Sequence, residues 1–239
     1  MTERPSGDVV QEQDALVIGP SNVRWTGEAL EITIEERDKR VGIPWRRRVR
    51  GKVRVIPEAL NPVSYALDPV ERHIWHCLAP RARIEVEMSE PDLKWNGHGY
   101  LDSNRGSESL EEGFNVWHWS RAHMKEGALV CYEGERHDGS HFASAIRFDY
   151  LGLPQRVELP MTAPLPNTLW QMERKTRADR GHASVIRTWE DAPFYARSTL
   201  ATRLFGEQVT AVQESLDMRR FCSPIVQFML PYRMPRTGG

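Results

Sequence analysis

Long apolar runs are missing from this sequence. No stretch approaches the roughly 18 to 20 consecutive apolar residues that span a bilayer as a helix, so any membrane association is expected to be peripheral. Charge of one sign is missing too. Lys and Arg number 32 against 33 Asp and Glu, for a formal net charge of −1, and so balanced a chain carries no whole-molecule signature of nucleic-acid binding. Cysteine is scarce, with only Cys77, Cys131 and Cys222. An odd number without close pairing suits a reducing compartment better than a disulfide scaffold. The opening Met1-Thr2-Glu3-Arg4-Pro5-Ser6-Gly7-Asp8 is polar and lacks the apolar core of a secretory signal. A place on the cytoplasmic side is therefore expected, soluble or peripherally attached to the inner membrane.

The commoner catalytic signatures are also absent. His73, His76, Cys77 and His98 are metal-ligand types close in sequence, but on a strand His73 and His76 face opposite sides, and no His-Glu-x-x-His or paired Cys-x-x-Cys spacing occurs. Gly97, Gly99 and Gly106 do not form a phosphate loop. Ser103 follows Asp102 without a Gly-x-Ser-x-Gly elbow. Neither a metal nor a cofactor is expected.

What the chain does have is period-two patterning. Leu30, Ile32 and Ile34 alternate with Glu31, Thr33 and Glu35, as in a strand with one buried face. From Trp45 to Ile56, Arg46, Arg48, Arg50, Lys52 and Arg54 share one side. That stripe either pairs with Glu31 and Glu35 on a neighbouring strand or attracts anionic lipid headgroups; pairing is preferred because sequential strands are commonly adjacent. Glu71 to Leu78 places His73, Trp75 and Cys77 on one face and is expected to close at Pro80, with Arg81 to Met88 as a further strand. Ala128 to Phe148 reads as a hairpin around Asp138-Gly139. The proline-dense passage 154–167 is expected to divide a first β domain, 1–153, from a second β unit, 168–239. Strands are expected near Thr168–Thr176, Ser184–Glu190 and Phe194–Leu200, and a short helix over Gln213–Phe221. The fold class is all-β.

The stretch that organises the chain is Asn96-Gly97-His98-Gly99-Tyr100-Leu101-Asp102-Ser103-Asn104-Arg105-Gly106. As a strand it projects His98, Tyr100 and Asp102 to one side. Trp117, Trp119 and Arg121 repeat the two-residue spacing. Apolar rings interleaved with a few titratable groups are what a small-molecule cavity needs, so Trp117, Trp119, Arg121 and His98 are candidate substrate-binding residues. Asp102 is the candidate acid, because enclosure among Trp75, Tyr100 and Trp117 would favour a neutral, proton-donating carboxyl. Two bland readings compete. Asp102 could cap a turn through the N–H groups of Ser103 or Asn104, and Trp75 and Trp119 could be ordinary core. Their shared alternation with His73, Tyr100 and Arg121 argues for a site, since a core strand rarely spends so many same-face positions on polar groups.

These residues carry a likeness. Glu71-Arg72-His73-Ile74-Trp75, Ala79-Pro80-Arg81-Ala82-Arg83-Ile84-Glu85-Val86, Gly97 through Gly106, Trp117-His118-Trp119-Ser120-Arg121, Glu190-Asp191-Ala192-Pro193-Phe194-Tyr195-Ala196-Arg197-Ser198 and Met229-Leu230-Pro231-Tyr232-Arg233-Met234-Pro235 resemble, in the same order, the carotenoid 1,2-hydratases, also called hydroxyneurosporene synthases. The resemblance covers nearly the whole chain. It implies two lipocalin-like β-barrel or sandwich units. It also implies cofactor-free addition of water to the terminal 1,2 double bond of an acyclic carotenoid such as lycopene or neurosporene. The family's His-x-Trp and Tyr-x-Asp pairs fall on His73 and Trp75 and on Tyr100 and Asp102, which are thus the expected catalytic set. Family members extend further upstream, Met1-Thr2-Glu3-Arg4 resembling an internal stretch of theirs, so N-terminal strands of the first unit are expected to be missing here. The partners implied are the carotenoid, water and anionic lipid at a membrane surface. Two other readings of the pocket are a lipocalin-like carrier of apolar ligands and a terpenoid or polyketide cyclase of the same fold.

Overall fold

The computed structural model describes residues 4–37 and 48–233. Strands come first: β1 (Val9–Gln11), β2 (Ala15–Ile18), β3 (Ser21–Trp25), β4 (Leu30–Arg37), β5 (Arg48–Pro57), β6 (Tyr65–Ala66), β7 (His73–Glu90) and β8 (Asp92–Gly106). A turn of helix, α1 (Leu110–Gly113), leads to β9 (Phe114–Met124), β10 (Gly127–Arg136), β11 (His141–Phe148), β12 (Pro154–Val157), β13 (Met161–Leu165) and β14 (Arg174–Ala178). Then follow β15 (Ala183–Asp191), β16 (Tyr195–Leu204), β17 (Glu207–Asp217), α2 (Met218–Phe221) and α3 (Pro224–Arg233). The fold is all-β, as its period-two patterning requires. Among the described residues no helix is long and apolar enough to cross a membrane.

The chain forms two compact units. One takes the chain up to Glu58 and returns for Ala82–Leu101; the other holds Ala59–Arg81 and Asp102–Val226. The boundary expected at 154–167 does not appear there. Residues on both sides of it share one antiparallel sheet, ordered β12-β11-β10-β9-β17-β16-β15, in which β9 pairs with β10 and with β17. Pro154 and Pro164 sit inside strands, β12 pairing with β11 and β13 with β14, and Pro160 and Pro166 lie between the strands.

In the first unit the register of β4 against β5 sets Glu31 opposite Arg54 and Glu35 opposite Arg50. Arg54 bridges Glu31 at 3.2 Å and Glu85 on β7 at 2.9 Å, and Arg50 meets Glu35. Arg50 and Arg54 thus stand on a solvated face paired with carboxylates; Trp45 and Arg46 lie outside the described residues.

Two other expectations change. Pro80 does not close a strand, because β7 runs unbroken through it. The missing proline N–H is harmless there: β6 pairs with β7 at Ile74 and Trp75, and β5 takes over only at Ala82. Gln213 to Asp217 is strand, with only Met218–Phe221 helical. Burial of Gln213 and Ser215 to within 1% of full enclosure follows the two-residue period of a strand whose partners cover both sides.

The seven-stranded sheet of the second unit is covered on both faces. One face carries an apolar cluster that includes Ala122, Met124, Leu129, Cys131, Leu200 and Leu204. His118, Glu133 and Ser215, in register across β10, β9 and β17, continue that face. The opposite face carries Trp117, Trp119 and Tyr132.

Candidate functional site

The site is built on the first turns of β7. His73, Trp75 and Cys77 alternate inward and are 4%, 1% and 0% exposed, so the predicted shared face is real. Trp75 is held between two phenol rings. Tyr65, its direct partner on β6, lies 5.5 Å away between centroids, and Tyr132 of β10 stands edge-on at 5.7 Å and 90°. Tyr132 also packs edge-on against Trp117, and Phe114 links Trp117 to His73, whose ring lies 4.7 Å from it. The result is an aromatic wall of six-membered and indole faces in which one nitrogen has a polar task.

That nitrogen is Trp75 Nε1, which donates to Asp102 Oδ2 at 3.0 Å. Asp102 is half-buried on β8, so its enclosure is partial and the competing turn role is not what it does: the carboxylate accepts from a buried indole. Its charge is felt by its neighbours. Burial pushes the Tyr132 phenol well above its ordinary range, and the carboxylates of Asp102 and Glu214 push it further. Burial likewise raises the Cys77 thiol, with Asp102 adding and Arg121 opposing. Both groups stay neutral beside Asp102.

His73 does not reach Asp102 by any hydrogen bond among the described residues. Its Nε2 meets Glu108 Oε1 at 3.2 Å, and the other oxygen of Glu108 takes Arg72 at 2.9 Å. Asp68 accepts the His73 backbone N–H at 2.7 Å. Burial alone would raise the Asp68 carboxyl, but the N–H groups of Arg72, His73 and Val70 outweigh it and hold it below its usual range. Two glycines make room for the imidazole. A Cβ on Gly106 would come within 3.0 Å of His73 Nδ1, and one on Gly113 would overlap Nε2.

A cavity of about 250 Å³ opens in front of this set, with His73, Glu108, Phe114, Trp117, Tyr132 and Arg105 among its walls. Trp119 is buried opposite Tyr132 in register, and Arg121 is buried with Nε and Nη2 on the Pro80 carbonyl at 3.0 and 2.7 Å. Trp119, Arg121, Trp75 and Asp102 are not among the residues that line that cavity. Tyr100 is half-buried and His98 exposed on β8, within the first compact unit. Of the expected residues, the structure joins Trp75 to Asp102 by a hydrogen bond and links Trp75, Trp117 and His73 through Tyr132 and Phe114. The sequence reading missed Tyr132 and Glu108. Tyr132 lay in a run read only as hairpin, and its place is set by the β9–β10 register; Glu108 stands in a turn, where no periodicity points to it.

The cavity has the His73–Glu108 pair on its wall, and the Trp75–Asp102 pair packs behind Tyr132, which is part of that wall, so groups able to move a proton stand beside an aromatic surface. The family described as carotenoid hydratase CrtC matches residues 1–239. The chain belongs to that family. It is 47% identical over 241 residues to the acyclic carotenoid 1,2-hydratase of Thiocapsa roseopersicina, covering 100% of this chain and 58% of that protein. With the acyclic carotenoid 1,2-hydratase of Rubrivivax gelatinosus the identity is 43%, with the same coverage. This CrtC-family chain thus spans somewhat more than half the length of these curated relatives. Among solved structures, CghA with Sch210972 aligns with a TM-score of 0.57 at 9% identity, over 87% of this chain and 73% of that one. That likeness concerns the fold, which is lipocalin-like.

Proposed function

We propose that this chain carries a carotenoid 1,2-hydratase site that adds water across the terminal double bond of an acyclic carotenoid such as lycopene or neurosporene. The observation that carries the proposal is the Trp75–Asp102 hydrogen bond beside an aromatic wall. A trisubstituted alkene is a weak base, so its hydration needs a placed acid and a medium that tolerates a carbocation. A carboxylic acid accepts through its carbonyl oxygen and donates through its hydroxyl. By donating to Oδ2, Trp75 makes Oδ2 the carbonyl and leaves Oδ1 to carry the proton.

Oδ1 transfers that proton to C2 and the tertiary cation forms at C1. The faces of Trp75 and Tyr132 stabilise it by cation–π attraction of about 2 kcal/mol each when desolvated. Water then bonds to C1. His73, held by Glu108 on the cavity wall, takes the proton that this water loses, and a proton from solvent restores the carboxyl of Asp102. The sum is alkene plus water to a tertiary alcohol, with no change in oxidation state and no cofactor. A cavity of about 250 Å³ suits one end of a polyene, not its length.

The substrate partitions into lipid, which places the reaction at a membrane surface on the cytoplasmic side. Arg50 and Arg54 are already engaged by carboxylates, so attachment through that stripe is expected to be weak in liposome flotation. The test of the activity is incubation of the protein with lycopene in D₂O and detergent, without added cofactor, followed by mass analysis of the pigment. A gain of one water with one non-exchangeable deuterium at C2 is expected. Bound but unaltered pigment on the folded protein would replace the hydratase by a carrier.

A further inference from the structure

The two faces of the seven-stranded sheet do different things. Trp117 and Tyr132 serve the aromatic wall, while the alternating neighbours His118 and Glu133 line a separate cavity of about 710 Å³ on the opposite face. That volume falls within the range of small-molecule sites, roughly 300–1,000 Å³. The walls are not those of a packing defect, because charged side chains converge on it at a cost that a plain core avoids.

Glu133 is 5% exposed and lies between two cations. Arg177 spends Nε and Nη2 on the two Glu133 oxygens and Nη1 on the Pro160 carbonyl at 3.2 Å. Lys175 Nζ stands 3.4 Å from Glu133 Oε2 with its side chain 41% exposed. One carboxylate is thus shared by two cations, and the ammonium, with three N–H groups, keeps donors in hand. Around the cavity Arg174, Lys175 and Arg177 face Glu133, Glu135 and Glu173, while Arg219 is held by Asp217 at 3.4 Å.

His118 is prepared as a neutral donor. Gln213 Nε2 donates to the Lys175 carbonyl at 3.2 Å, which fixes the amide, and to Ser215 Oγ at 2.7 Å. The Ser215 hydroxyl is then turned to His118 Nδ1 at 2.8 Å, so the ring proton sits on Nε2. Burial, followed by the Lys175 charge, brings the imidazole down to about 4 and keeps it uncharged at neutral pH. Val116, Ala143, Pro164 and Leu165 supply the apolar part of the lining.

We propose that this cavity is a second ligand site, taking an amphiphilic monocarboxylate whose head is held by Lys175 and the His118 Nε2–H and whose apolar body lies along Val116, Ala143 and Leu165. The one ammonium of Lys175, which shares Glu133 with Arg177, fits a single negative charge. A phosphate dianion would face Glu133, Glu135 and Glu173 with too few cations to offset it.

Calorimetric titration of the full chain with decanoate, decanol and acetate tests this. Decanoate should bind saturably, one molecule per chain, while decanol and acetate, each lacking one half of the recognition, bind at least about tenfold more weakly. Lys175→Gln, which leaves the Arg177–Glu133 pair intact, should weaken decanoate about tenfold, the worth of one charge-assisted contact. Ala143→Trp, whose ring would fill the cavity from an exposed position in register with Glu133, should abolish binding. Asp102→Asn should leave it unchanged, which separates this site from the aromatic one. No saturable binding by the folded protein, equal binding of decanol, or decanoate affinity untouched by both Lys175→Gln and Ala143→Trp would each overturn the proposal.

Discussion

Replacing Trp75 by Phe keeps an aromatic ring in the wall and removes the one N–H that Asp102 accepts. The hydrogen bond is 3.0 Å long and its donor is 1% exposed, so water cannot take the place of the lost group from the Trp75 side. A hydrogen bond to a charged or acidic group contributes about 1.5–3 kcal/mol net. If it holds Asp102 in the geometry that protonates C2, kcat should fall by roughly 10- to 150-fold, at 1.36 kcal/mol per factor of ten. Stability should fall as well, because a phenyl ring leaves part of the indole space between Tyr65 and Tyr132 empty, by about 1–3 kcal/mol on the scale of large-to-small core changes. The two effects separate experimentally. Steady-state hydration of lycopene reads kcat and KM, and urea unfolding followed by far-ultraviolet circular dichroism reads stability. A folded Trp75→Phe protein with kcat within twofold of the parent would refute the role given to the indole N–H, whatever it cost in stability.

Other perturbations follow from the same geometry. Gly113→Ala places a methyl group on His73 Nε2 and should cut kcat at least tenfold while costing about 1–3 kcal/mol in urea unfolding, as overpacking does. Arg54→Ala breaks two exposed bridges to Glu31 and Glu85 and should change stability by less than about 1 kcal/mol and activity not at all. His118 titrates near 4 in the fold and at 6.5 when unfolded. Between these values the unfolded chain binds the extra proton, so stability is full above pH 6.5 and declines as pH falls toward 4, by about 3 kcal/mol. His118→Gln should flatten that arm of the pH–stability curve, measured by urea unfolding at fixed pH steps.

The sequence made some of this visible because strands write their faces in alternate residues. His73, Trp75 and Cys77 were readable as one buried face, and Glu31 and Glu35 as partners for Arg54 and Arg50, since each follows from local period and adjacency alone. Punctuation was less reliable. Pro80 and the prolines of 154–166 looked like boundaries, yet β7 runs through Pro80, and Pro154 and Pro164 lie within β12 and β13. A short helix was expected over Gln213–Phe221, but Gln213 and Ser215 are buried on a strand, in hydrogen bonds with the Lys175 carbonyl and His118. The partners of the site residues were the least legible. That Trp75, not His73, holds Asp102, and that His73 turns to Glu108, depends on side-chain directions across β7, β8 and the turn after Gly106. None of these directions is set by spacing.

The central claim is that Asp102 delivers the proton to the alkene. It is tested most directly by incubating Asp102→Asn, with folding verified by circular dichroism, with lycopene and weighing the extracted pigment by mass spectrometry. The amide still accepts from Trp75 Nε1 but carries no acidic proton, so no gain of water above the uncatalysed background is predicted. Hydrated product formed at a rate near that of the parent protein would contradict the account.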